Sequence, residues 1–145
     1  MAANSQFAMA THIMTAIAAE EGDLVSSAYL AGSLNTNPVV VRRILLKLQK
    51  ANLITSEHGR NGGARLASSP QKITLADIYK AVDDDLIFAY NPNDPNKKCP
   101  MSCVMKSVLQ PVFNKATQAL NQHLNETKLS DLLKEVQKTI TKEKK

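Results

Sequence analysis

The sequence predicts a mainly α fold with one small β-hairpin, a winged helix-turn-helix followed by a long C-terminal dimerisation helix. Three observations carry that expectation. The segment NTNPVVVRRILLKLQKA restarts a helix only three residues after a short one ends, which is helix-turn-helix spacing. Two strand-like runs around a glycine-rich tip follow it directly and supply a wing. From Pro100 to about Asn125, apolar residues then recur at helical spacing without a break.

In chain order, Phe7, Met9, Ile13, Met14 and Ile17 mark a first helix over 6–20, with Asn4 or Ser5 as cap and Gly22 just past its end. A short helix runs over 27–34 behind the N-cap Ser26. Asn37 caps the next, and Pro38 takes its first position, where a missing N–H costs nothing. LITSE (53–57) and ARLA (64–67) form the wing strands, and RNGG (60–63) is its tip. Thr74 and Asp77 are spaced for a capping box on a helix over 73–82. LIFAYNPNDPNKK (86–98) reads as a turn-rich linker, and Pro111 predicts a kink in the long helix. KLSDLLKEVQKTI closes the chain as an amphipathic helix. The resulting division is a DNA-binding domain over 1–83, a linker over 84–98, and the dimerisation and C-terminal helices over 99–145.

Composition narrows the function. With 145 residues, no Trp and only 4% aromatic residues, the core must be aliphatic, and it is large enough to form without disulfides. No apolar run approaches a membrane span and no signal-peptide pattern opens the chain, so a cytoplasmic protein with free thiols is expected. Residues 37–65 hold Arg42, Arg43, Lys47, Lys50, Arg60 and Arg65 against Glu57 alone, an excess equal to the net charge of +5 on the whole chain. Basic charge concentrated in this way suits a polyanion, most simply nucleic acid.

On a wheel of about 100° per residue, Val41, Ile44, Leu45 and Leu48 share the core side of the helix over 38–50. Val39, Arg43, Leu46 and Lys50 lie opposite, flanked by Val40, Arg42 and Lys47. A solvent-facing Val at the first turn of a basic helix suits a thymine methyl in the major groove, with Arg42 or Arg43 available for guanine or phosphate. Asn37 and the N–H groups of the first turn suit a phosphate. Arg60, Asn61 and Arg65 belong to the wing; its glycines permit close approach, and the two arginines can reach phosphates or a narrow minor groove.

His12, His58 and His123 are scattered, and no phosphate loop, dinucleotide fingerprint or hydrolase motif occurs, so no enzyme is expected. Asp83, Asp84 and Asp85 read as a solvated acidic loop at a helix end. Cys99 and Cys103 are the only cysteines. Structural zinc needs four N or S ligands, of which this region offers two. As N-cap behind Lys97 and Lys98, Cys99 suits a redox-sensing nucleophile with Cys103 as resolving thiol; an inert cap is the other reading. Met105, Leu109, Val112, Phe113, Ala116, Leu120 and Leu124 make a stripe wider than one small winged helix can cover, and a second copy would bury it.

NTNPVVVRRILLKLQKANLITSEHGRNGGARLA followed by ITLADIYKAV resembles the Rrf-two (Rrf2) family of bacterial transcriptional regulators, which includes IscR and NsrR, and within it the YwnA-type branch. The resemblance runs over nearly the whole chain. It implies a homodimer that binds an imperfect palindrome in promoter DNA, here expected to act as a repressor. It places groove-reading residues on Asn37, Val39, Val40 and Arg42. The family's wing often reads Arg-Gly-x-x-Gly-Gly; this chain has His58 at the first position, and Arg60 is the candidate substitute. Cluster-binding members carry three cysteines in the region of Cys99, so two argue against an iron–sulfur cluster, and no cofactor is expected. A winged-helix interaction module docking an acidic partner is the alternative function.

Overall fold

The computed structural model describes residues 5–83 and 87–143. Asn4 as first cap, Asp84 and Asp85 of the acidic run, and the terminal Lys144 and Lys145 lie outside them. The described elements are α1 (Gln6–Ala19), α2 (Ser27–Leu34), α3 (Pro38–Lys50), β1 (Ile54–Glu57), β2 (Gly63–Leu66), α4 (Leu75–Val82), α5 (Pro100–Asn125) and α6 (Leu129–Glu143), with a 3-10 turn over Pro70–Lys72. The mainly α chain with its single two-stranded antiparallel hairpin has the class the sequence predicts. None of these helices is long and apolar enough to cross a membrane.

Two compact units are formed, one from Met1–Asp84 with Leu124–Lys145 and one from Asp85–His123. The first holds an aliphatic core of Ile13, Met14 and Ile17 from α1, Leu30 from α2, Val41, Ile44 and Leu48 from α3, Ile54 from β1, and Ile78 from α4. Local chemistry sets each boundary. Ser26 accepts the N–H of Tyr29, and α2 ends with Asn35 in the left-handed region. Thr74 and Asp77 complete a reciprocal capping box for α4. Ile73, expected inside that helix, is extended, and its carbonyl accepts the N–H of Leu129 at 2.8 Å.

That bond belongs to a short tie between the start of α4 and the chain entering α6. Leu75 N–H donates to the Thr127 carbonyl at 2.9 Å, and Thr74 Oγ1 lies 3.1 Å from Asn125 Oδ1. Leu129 is consequently fully buried, and α6 packs along α1.

In the second unit, the segment leading to α5 is pinned by aromatic contacts. Phe88 stacks on Phe113 with centroids 4.9 Å apart, and Tyr90 meets the same ring at 5.4 Å. Lys106 Nζ sits 5.4 Å above the Tyr90 ring. The helix assignment of α5 continues through Pro111, and none of its residues is buried.

Candidate nucleic-acid interface

The helix-turn-helix is anchored at Asn37. Its side chain accepts the N–H of Val39 at 2.9 Å, and Pro38 occupies the first helical position. The sharp turn before it is held by Thr36 N–H, which donates to the Ala31 carbonyl at 2.9 Å. With Val41, Ile44 and Leu48 buried, α3 presents Val39, Arg42, Arg43, Leu46 and Lys50 to solvent.

The wing stands beside α3 because its second strand is bonded to Val25, two residues before α2. Val25 and Ala64 exchange both backbone hydrogen bonds, each at 2.9 Å. This approach is closed to any side chain at Gly63, whose Cβ would lie 2.6 Å from the Val25 carbonyl oxygen. A Cβ on Gly62 would likewise collide with the Glu57 carbonyl oxygen. Gly59 turns the tip with φ of +108°.

Between α3, the start of α2 and the wing runs a groove of about 440 Å³. Arg42, Leu45, Leu46 and Gln49 line it from α3, and His58 and Arg60 from the wing. Glu57 is its only acidic lining residue. A cleft with a reading helix on one side and a cationic hairpin on the other can admit a phosphodiester strand, leaving the helix in the major groove and the hairpin at the next groove.

The remaining expected contacts separate into distinct places. Arg42 faces the wing groove, whereas Arg43 is exposed without lining it, so the two arginines serve different sides of the same helix. Leu45, counted with the core from its wheel position, is half-buried and lines the groove. Val40 is half-buried against the core. Lys47 points toward α1, where its Nζ donates to Gln6 Oε1 at 2.7 Å. Asn61 is exposed at the wing tip. Arg65 pairs with Thr55 in the register Thr55↔Arg65, Ser56↔Ala64. Ser56, Glu57, Gly63 and Ala64 all line the groove, whereas Arg65 is half-buried without lining it. Its Nε is buried with no hydrogen-bond partner among the described residues.

Sequence reasoning did not single out Leu46, Gln49 or the start of α2 as part of this site. The first two were legible as the continuation of Arg42 at helical spacing. The contribution of Ser26 and Ser27 depends on the Val25–Ala64 bridge, a long-range contact with no local signal.

At the start of α5, Asn96 organises the thiol region. Its carbonyl accepts the N–H of Cys99 at 2.9 Å and lies 3.6 Å from Cys103 Sγ, while its own N–H donates to Ser102 Oγ at 2.9 Å. Cys99 is half-buried and Cys103 exposed, both as free thiols. Of the stripe on α5, Met105, Val112, Ala116 and Leu120 are exposed, and Leu109, Phe113 and Leu124 are half-buried. Phe113 packs on Phe88 and Tyr90 of its own chain. Met101, Val104 and Val108 extend the exposed stripe toward the helix start.

Comparison with known proteins agrees with this arrangement. A family model described as "Rrf2: Iron-dependent Transcriptional regulator" matches residues 3–135. YwnA of Bacillus subtilis is 38% identical over 131 residues, covering 90% of this chain and 96% of that protein. The HTH-type transcriptional regulator NsrR of Bacillus licheniformis is 27% identical over 113 residues, covering 77% and 76%. A solved structure from Lactobacillus plantarum superposes with a TM-score of 0.78 at 26% identity, covering 92% of this chain and 90% of that one.

The family description names iron. Iron–sulfur clusters ordinarily take four protein ligands. Among the described residues no group of three or more His, Cys, Asp or Glu is arranged to hold a metal ion, and the chain has two cysteines. Two cysteines from one chain supply fewer thiolates than the four ligands such a cluster ordinarily takes. The match over residues 3–135, together with the YwnA relationship, establishes that the chain belongs to the Rrf2 family of DNA-binding transcriptional regulators, which is not an enzyme family.

Proposed function

We propose that the chain is a cytoplasmic homodimeric repressor that binds an imperfect palindrome in promoter DNA. Each protomer lays α3 in the major groove and its wing across the adjoining strand. The observation that carries this reading is the pairing of Arg42 and Arg60 along one groove, from two elements separated in sequence. Phosphate neutralisation from both walls positions the duplex, and the exposed face of α3 reads it. Arg43 serves the major-groove flank away from the wing.

The homodimer is supported by α5. Met101, Val104, Met105, Val108 and Val112 are all exposed and fall on one helical face. A continuous apolar stripe of this kind on a single chain marks an interaction surface, and a second copy supplies a matching stripe under two-fold symmetry. Palindromic DNA follows, because two reading heads related by a two-fold axis require half-sites with the same relation.

The thiol pair supports a redox response. A peroxide would take two electrons and two protons from Cys99 and Cys103, form one S–S bond and leave as two waters. Residues one helical turn apart have Cβ atoms about 5–6 Å apart, whereas a disulfide needs about 4 Å. Closing the bond would therefore break the 3.3 Å hydrogen bond from Cys103 N–H to the Cys99 carbonyl and unwind the first turn of α5.

The test is selection of duplexes from a random pool by the full chain, followed by binding at several salt concentrations. Enrichment of a palindrome, two chains per duplex, and log K falling by about 0.9 per phosphate contact against log salt support the reading. Salt-dependent binding without a preferred sequence would defeat it in favour of a basic surface for an acidic partner. Peroxide treatment of the wild type and of Cys99→Ser tests the thiol response, which the variant should lose.

A further inference from the structure

We propose that α3 reads two thymine C5-methyl groups in each half-site, one with Val39 and one with Leu46, two to three base pairs apart. This rests on the DNA-binding reading above and adds a second apolar reader and a spacing.

The buried stripe of α3 consists of Val41, Ile44 and Leu48. At about 100° per residue, the direction opposite that stripe passes through Val39 and Leu46, which fall within roughly 20° of one another. They lie in line along the helix, and their exposures are 51% and 57%. Arg42 and Arg43 stand about 40–60° to either side of this line, and Lys50 continues it one turn beyond Leu46.

Single exposed apolar residues are ordinary. Here the most outward line of a basic helix is apolar from Val39 to Leu46, with Arg42 and Arg43 at its flanks and Lys50 only at its end. Solubility favours the reverse order. A nucleic acid accounts for it, since the thymine methyl is the apolar group that the major groove presents, while guanine and phosphate take the flanking arginines. Seven residues span about 10.5 Å of helix, and a helix entering the major groove contacts about three successive base pairs over that length. Leu46 also borders the wing groove, so its contact falls on the wing side of the base read by Val39.

The test uses wild-type full chain and its pool-selected duplex, with each thymine replaced singly by deoxyuridine, which deletes only the methyl group. Two positions per half-site should each weaken binding roughly fourfold, the effect of losing one buried methyl. Leu46→Ala should abolish the sensitivity at one position and leave the other, and Val39→Ala should do the converse. Both side chains are exposed, so the variants retain the core. Tight duplex binding that no deoxyuridine substitution weakens would overturn the inference while leaving the DNA-binding reading intact. The same holds if Leu46→Ala keeps both sensitivities. If no duplex is enriched at all, both readings fail together, and the apolar ridge becomes a protein-docking surface.

Discussion

Asn37 Oδ1 accepts the N–H of Val39 at 2.9 Å, so the side chain that starts α3 also holds the first residue of its outward ridge. Under the proposed function, capping and reading are joined at one position. Asn37→Ala should lower stability by about 1 kcal/mol, the usual loss for such a cap, and weaken duplex binding as well. Asn37→Asp separates the two effects. A carboxylate can still cap and interacts favourably with the helix dipole, so the denaturation midpoint should hold, while its charge against a phosphate should weaken binding several-fold. Urea unfolding and fluorescence anisotropy on the two variants make the comparison.

Whether an arginine lines the groove predicts the outcome of its removal. Arg60→Ala and Arg42→Ala remove cations from the groove, so each should reduce the slope of log K against log salt by about 0.9 with little change in stability. Arg65→Ala removes a half-buried side chain that does not line the groove, with Nε already buried. Its salt slope should match wild type. A reduced slope for Arg65→Ala would extend the DNA path beyond the groove.

Glycine substitutions report the approach of the wing to α2. Gly32 lies within α2 with open space where a Cβ would stand, so Gly32→Ala should stabilise the chain by about 0.5–1 kcal/mol. Gly63→Ala should do the reverse, by about 1–3 kcal/mol, because its Cβ would sit 2.6 Å from the Val25 carbonyl oxygen. Thermal melts of the two single variants should therefore shift in opposite directions.

Much of the reader was legible in the sequence because its determinants are local. Asn37-Pro38, the Thr74–Asp77 box and the 3.6-residue period of 38–50 act within a turn or two of themselves. What was not legible depends on contacts distant in sequence. Lys47 looks like a groove residue on a wheel, yet Gln6, forty-one positions earlier, takes its ammonium group. Arg65 belongs to the wing, yet it is half-buried and does not line the groove that Arg60 borders. Phe113 sits at a helical position that suits an interface, but Phe88 and Tyr90 of the preceding segment cover its ring. Met101, Val104 and Val108 had the periodic signal and become conspicuous once their exposure is known.

The C-terminal helix bears directly on the stability of the reading domain. Leu129 is fully buried in the core that α1, α3 and α4 share, and its N–H completes the pairing with Ile73. Leu129→Ala should cost about 2–5 kcal/mol. A chain ending at residue 123 should lose more, since it also frees Ile73 and Leu75 from their backbone partners. Guanidinium unfolding of both checks this. Wild-type stability for the shortened chain would show that the winged helix folds without its C-terminal segment.

The proposed dimerisation through α5 has a test that leaves the fold alone. Val108 and Val112 are exposed on the apolar stripe and stand one turn apart, so a charge at either is solvated in the monomer but desolvated between two copies. Val108→Lys and Val112→Lys should keep the helical circular dichroism and the unfolding midpoint of a dilute sample. In sedimentation velocity they should move as monomers under conditions where wild type forms a dimer. Binding to a single half-site should persist, because α3 and the wing are untouched, while binding to the full palindrome should fall to the half-site level as the linkage between two reading heads is lost. A dimer that survives both substitutions would place the interface elsewhere, and the exposed end of α6 at Val136 and Ile140 would be the next face to charge.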